Sequence, residues 1–212
     1  MKKVGVALGA GITALAVLVA SGLILTRPLS EEALRETGVI EPESRYVLVD
    51  GIRTRYVSSG RGEEAILFIH GFSSSLSTWS SCLDPVSRHY QVIALDLKGF
   101  GFSGKPDSEY SIGEYAAFVI HFMDAIGLQT ATLCGNSMGG NIAWRIALKY
   151  PDRINRLILV DASGYPSEHS GTPLFLRLGR LPGMGRMLSP LVTRNRIRSS
   201  LESAYYDRAK VT

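Results

Sequence analysis

Near the middle of the chain, six residues have the types and spacing for nucleophilic chemistry: Gly135-Asn136-Ser137-Met138-Gly139-Gly140. They stand between an apolar, β-like run (Ala131-Thr132-Leu133-Cys134) and a helical run from Asn141 to Tyr150. Strand, G-x-S-x-G, helix spells a nucleophile elbow, a turn so sharp that the serine's backbone is strained. A side chain two residues before or after the serine would collide with the turn, and Gly135 and Gly139 have none. Ser137 Oγ is therefore expected to stand out at the carboxyl end of a sheet. The N-terminus of the next helix lies beneath it, with backbone N–H groups free to meet developing negative charge. The bland alternative is a chance loop. The flanking strand and helix argue against it, because context is what confirms this motif.

The elements that must hold this turn are legible around it. Two β-like segments, Arg45–Asp50 and Arg53–Ser58, are joined by Asp50-Gly51, a hairpin signal. The unbroken apolar run Ala65–Ile69 suits a strand covered on both faces, and it ends in His70-Gly71-Phe72. A serine-rich loop then leads to a helix over Ser77–Ser87, and Gln91–Leu97 reads as another buried strand. Over Ser111–Ile126, apolar Ile112, Tyr115, Ala116, Val119, Phe122, Met123 and Ile126 fall at helical spacing. Arg156–Val160 is the next strand, ending at Asp161. Strands alternating with helices predict an α/β fold with a doubly wound, mostly parallel sheet.

Two phosphate motifs fail on inspection. Gly99-Phe100-Gly101-Phe102-Ser103-Gly104-Lys105 matches G-x-G-x-x-G and the first seven positions of a P-loop. Pro106 stands where the P-loop needs Ser or Thr, and it pushes Lys105 out of helical geometry. A dinucleotide site needs an acid ending the next strand, whereas Asp124 lies inside a helix. No cofactor is expected. With two cysteines and no CxxC or His/Cys ligand spacing, no metal is expected either. Both Cys82 and Cys134 read as small apolar core residues.

The composition is that of a globular domain: 45% hydrophobic and 20% charged over 212 residues. Lys2 and Lys3 precede Val4–Leu25, twenty-two residues without a charge. As a helix that run is about 33 Å long, enough to cross a bilayer core. An uncleaved anchor over 1–29 is expected, with a signal peptide cleaved near Val19-Ala20-Ser21 as the alternative. Positive charge stays in the cytoplasm, which puts the globular part outside it, in the periplasm if the cell is bacterial. A polar stalk over 30–44 would clear the membrane. Residues 165–212 carry eight Lys/Arg against three Asp/Glu. Such arginines are mostly solvated helix faces, and no interleaved aromatics suggest nucleic acid as a partner.

Taken together, His70-Gly71-Phe72, then Asp96-Leu97-Lys98-Gly99-Phe100-Gly101-Phe102-Ser103, then Gly135–Gly140, then Leu157-Ile158-Leu159-Val160-Asp161-Ala162 resemble the α/β-hydrolase superfamily, in its order. The elbow spelling is similar to that of lipase- or esterase-like enzymes and of carbon–carbon bond hydrolases of ring-cleavage pathways. The resemblance covers a core over 45–164, and residues from Gly164-Tyr165-Pro166 on look like the start of a helical cap over 165–212. It implies acyl transfer, with Ser137 attacking a carbonyl carbon. The N–H groups of Phe72 and Met138 would form the oxyanion hole. Asp96 and Ser103 are expected to shape their loop.

A serine hydroxyl is a weak nucleophile without a base. The family's order is Ser, acid, His, and here His70, His89 and His121 all precede Ser137. His70 is expected to hold the oxyanion loop, and His89 and His121 to be ordinary surface or satisfied residues. His169 follows the serine, but in the cap opening. Asp161 ends the strand after the elbow helix, a position from which some relatives take their acid, although a loop-capping Asp is commoner there. The expectation is a sequence that stops early, with base and acid beyond Thr212. The leading reading is a membrane-anchored serine hydrolase acting on small-molecule or lipid-like carboxylic esters. The alternatives are a C–C bond hydrolase and a non-catalytic, membrane-bound interaction module.

Overall fold

The computed structural model describes residues 31–36, 43–165 and positions 193, 195, 198 and 199. The anchor expected over 1–29 and nearly all of the cap expected over 165–212, His169 included, lie outside the described residues. Within the expected stalk, Glu31–Glu36 form a short helix, α1. Residues Leu34–Pro166 make up one compact unit, and every strand and the candidate site belong to it.

Six strands form one sheet: β1 (Arg45–Val49), β2 (Ile52–Ser59), β3 (Ala65–Ile69), β4 (Gln91–Leu95), β5 (Ala131–Asn136) and β6 (Ile154–Val160). Their order is β1-β2-β4-β3-β5-β6. The first two strands run antiparallel to their neighbours, and the last four are mutually parallel. At the hairpin, Asp50 (φ 50°) and Gly51 (φ 76°) both take positive φ, as a tight two-residue turn demands.

All five residues of β3 are buried, and the pleat divides them. Ala65, Leu67 and Ile69 face a core shared with helices α3 (Ile112–Ala125) and α4 (Met138–Lys149); Ile66 and Phe68 face Leu76 and Trp79. Those two belong to a 3-10 turn, Leu76–Trp79, that leads into α2 (Ser80–Ser87). Helices on both faces explain why the central strands read as continuous apolar runs. The chain passes from β3 to β4 on one side and to β5 on the other, so the direction of winding reverses between β3 and β5. Their carboxyl ends are where an open α/β sheet forms its crevice.

Several boundaries differ from the sequence reading. β4 stops at Leu95; Asp96 N–H still donates to Arg55 O of β2, while its carboxylate accepts from loop amides. Helix α4 begins at Met138 rather than Asn141, immediately after the serine. Cys82 is exposed rather than a core residue, since α2 turns that position to solvent; Cys134 is buried, and both thiols are free. Along β6 the apolar residues Leu157, Ile158, Leu159 and Val160 are 37–43% exposed, in contrast with β3.

Candidate active site

Ser137 is the residue between β5 and α4, with φ 52° and ψ −114°. That lies outside the regions an L-residue normally occupies and costs on the order of 1–3 kcal/mol. The backbone around it enforces the strain. Ser137 N–H donates to Val160 O at 3.0 Å, and its carbonyl accepts from Asn141 N–H at 3.1 Å and Ser163 N–H at 3.0 Å. The end of β6 thus wraps the elbow. Its side chain makes no cap hydrogen bond to the helix, and the residue is half-buried rather than enclosed.

Each glycine of the motif answers a close approach. A methyl group at Gly135 would fall on the Gly139 carbonyl oxygen. One at Gly139 would fall on the Ile69 carbonyl, at the end of the neighbouring strand. One at Gly140 would meet Ala162 Cβ at 2.5 Å. One at Gly71 would lie 3.3 Å from Ser137 Cβ, which puts the His70-Gly71-Phe72 loop directly beside the serine. The register agrees: Ile69 pairs with Gly135 across β3 and β5.

The two expected oxyanion residues come together. Phe72 and Met138 line one cleft of about 220 Å³, with Gly99, Phe100, Lys105, Tyr110 and Tyr115. Met138 N–H is the first of α4 and has no partner within the helix. Phe72 is 54% exposed and packs edge-on against Phe100 at 5.8 Å between centroids.

His70 is fully buried and committed. Its Nε2 accepts from Leu97 N–H at 3.1 Å, so the ring proton sits on Nδ1 and is donated to Gly71 O at 2.7 Å. Burial pushes its pKa below 6.5, with the Gly71 carbonyl and the Asp96 charge pulling the other way. With both nitrogens occupied, the ring ties the ends of β3 and β4 together and has no lone pair left for a serine proton. Among the other described histidines, His121 Nδ1 lies 2.8 Å from Asp50 Oδ2 at the β1–β2 turn, and His89 is an exposed residue just ahead of β4. Asp161 follows β6 with φ 46°, exposed, in the loop whose Val160 and Ser163 backbones bind Ser137.

Beneath the oxyanion loop lies a polar knot that the sequence signalled only in part. Asp96 Oδ1 accepts from Leu76 N–H at 2.7 Å; Oδ2 accepts from Phe102 N–H at 2.8 Å and from Arg55 Nη1 at 3.2 Å. Both side chains of the ion pair are fully buried. Arg55 Nε also donates to Ser44 Oγ at 3.0 Å, and its guanidinium lies 4.9 Å from the centre of the Phe102 ring. Ser103 Oγ donates to Asp96 O at 2.7 Å and accepts from Arg55 N–H at 2.9 Å. A methyl group at Gly101 would fall on the Asp96 carboxylate, which explains the glycine. Arg55 is the residue sequence reasoning missed. In β2 both Thr54 and Arg55 are buried, so the period-2 alternation that marks inward positions breaks there.

This arrangement, a strained serine at the switch point with a histidine-clamped loop beside it, defines the class. Residues 64–200 match the family model described as alpha/beta hydrolase fold, and the chain belongs to that family. Over 121 residues it is 43% identical to the dihydrolipoyllysine-residue acetyltransferase component of the acetoin cleaving system of Cupriavidus necator, covering 57% of this chain and 32% of that one. The meta-cleavage product hydrolase CumD of Pseudomonas fluorescens IP01 superposes with a TM-score of 0.65 at 31% identity, over 79% of this chain and 59% of its own. A bacterial membrane phospholipase A gives a TM-score of 0.65 at 29% identity, over 96% of this chain and 64% of its own. The chain spans 32–49% of the length of the curated relatives it matches.

Proposed function

We propose that this chain carries the nucleophile and oxyanion half of a serine hydrolase that acts on carboxylic esters at a membrane. The observation that carries the reading is the elbow: Ser137 held at φ 52°, half-exposed, beside Gly71 and directly before Met138, which lines one cleft with Phe72. Ser137 Oγ attacks the ester carbonyl carbon, the developing oxyanion takes the N–H groups of Phe72 and Met138, and the alcohol leaves with a proton. Water then hydrolyses the acyl-enzyme. His70 cannot serve as the base, so base and acid are assigned to residues outside the described ones; Asp161, exposed in the loop after β6, is the alternative acid beside a loop-capping role.

The membrane belongs to the proposal. Val4–Leu25 has the length and composition of a span. Among the described residues no helix is long and apolar enough to cross a membrane, but the run at 4–25 is not among them. Likeness to a membrane phospholipase A over 96% of this chain supports both the anchor and a lipid-like ester substrate. The domain would then sit on the extracytoplasmic side, or be secreted if the segment is cleaved. A second reading, cleavage of a carbon–carbon bond in a dienoic diketone, is favoured by the likeness to CumD.

The test is covalent. With the segment that brings the base present, detergent-solubilised protein treated with p-nitrophenyl butyrate or a fluorophosphonate should gain one adduct by intact mass, mapped to Ser137 and missing in Ser137→Ala; residues 1–212 without a base should react only slowly. An adduct elsewhere, or none with the base-bearing segment present, sinks the nucleophile assignment. Release of acid from a dienoic diketone without p-nitrophenyl ester turnover moves the assignment to the second reading.

A further inference from the structure

The loop that spells two phosphate motifs and serves neither ends in a lysine that the Asp96 knot does not employ. Lys105 is exposed, yet its ammonium is pinned: Nζ donates to Gly101 O at 2.9 Å and to Ser103 O at 3.4 Å. An ammonium has three protons, so one remains to point elsewhere. Among the described residues no carboxylate forms an ion pair with it. Of the nearby charges, Lys98 Nζ lies 3.6 Å from Glu114 Oε2, while burial and then the Asp107 charge raise the pKa of the Tyr110 phenol.

Lys105 lines the same cleft as Phe72 and Met138. The remaining walls are aromatic: Phe100 lies 6.2 Å from Tyr115, and Tyr110 lies 6.1 Å from Tyr115. The cleft thus brings together Met138, the residue after the elbow serine, the rings of Phe100, Tyr110 and Tyr115 and an exposed cation that no described carboxylate pairs. We propose that Lys105 is a specificity-determining residue, selecting carbonyl substrates that carry a carboxylate on an apolar or aromatic arm. The assignment of the carbonyl rests on the hydrolase reading; the ion contact itself does not. Two backbone carbonyls already hold the ammonium in place, so a carboxylate meeting it freezes less side-chain motion than it would on a free lysine. Because the group is exposed, the gain is modest. Exposed ion pairs convert to about a two- to fivefold preference.

Binding tests this without chemistry at Ser137. The dissociation constants of 4-phenylbutyrate and its uncharged amide would be compared on the 212-residue chain by titration calorimetry or ligand-observed NMR. The carboxylate should bind about two- to fivefold tighter, less so at high salt. Lys105→Gln should bring the ratio close to one, and Lys105→Arg should keep it. Lys149→Gln, a surface lysine beside Tyr150, should not change it. Equal affinities in the unaltered chain overturn the proposal. So does a ratio that survives Lys105→Gln, or one that falls equally in Lys149→Gln, which would assign the preference to overall charge. A Ser137 adduct with no carboxylate preference refutes this inference alone. A Lys105-dependent preference with no adduct even when the base-bearing segment is present leaves a binding cleft and refutes the hydrolase reading.

Discussion

Ser103 and Ser137 both sit in glycine-rich turns at the carboxyl ends of parallel strands, yet their hydroxyls do opposite things. Ser103 is 3% exposed; its Oγ donates to the Asp96 carbonyl and accepts from the Arg55 amide. Ser137 is half-exposed, and its side chain makes no cap bond, although its backbone is gripped on both sides. A hydroxyl with donor and acceptor both committed in the interior is structure. One held on a strained backbone, with its oxygen left over, is available for chemistry. The same contrast separates the histidines: His70 stands beside the elbow but is spent on Leu97 and Gly71.

Substitutions can break this comparison, and the largest effect should fall on chemistry. Ser137→Ala should abolish the acyl or phosphonyl adduct while leaving the denaturant midpoint nearly unmoved, whereas Ser103→Ala should keep the adduct. An adduct that persists in Ser137→Ala erases the distinction between the two serines.

Next in size is the knot that Ser103 serves. Asp96→Ala removes one partner of a fully buried ion pair and two amide acceptors, and should cost about 3–5 kcal/mol in chemical unfolding. Ser103→Ala strands a buried N–H and should cost about 1–3 kcal/mol. The sharper contrast is in sign. Ser137→Gly should stabilise by about 1 kcal/mol or somewhat more, because glycine tolerates φ 52°. If Ser137→Gly destabilises instead, the strain assigned to the elbow is absent.

The smallest effect concerns pH. His70 has a folded pKa below its ordinary 6.5, so below pH 6.5 the unfolded chain binds the extra proton first. Stability from this residue is therefore flat above about pH 6.5 and falls as pH drops from there toward the folded value, by at most about 1.4 kcal/mol per unit. Comparing unfolding midpoints at pH 7.5 and pH 5 in the parent chain and in His70→Asn isolates the effect. Equal slopes would mean that His70 takes up its proton as readily in the fold as in the unfolded chain, and that burial does not hold it neutral.

Much of the site is legible in the sequence because its signals are local. A G-x-S-x-G after an apolar run fixes Ser137, and the hairpin and central strands follow from Asp50-Gly51 and from runs such as Ala65–Ile69. The start of α4 is not legible, because the serine itself supplies the break and its strained dihedrals leave no trace in composition. Cys82 reads as a core residue and is not one, because a helix turns its side chain outward, which short periodicity does not decide.

The sequence by itself determined the order of strands and helices, the serine at the turn between β5 and α4 and the absence of side chains where backbones must meet. The reason is that these depend on neighbours within a few residues. Only the tertiary structure decided that Gly139 yields to Ile69, that Arg55 is buried against Asp96 forty-one residues away, and that His70 is already spent. Those are contacts between segments distant in the chain. Burial changes what a charged or titratable side chain can do, and no local pattern records which partner it will find there.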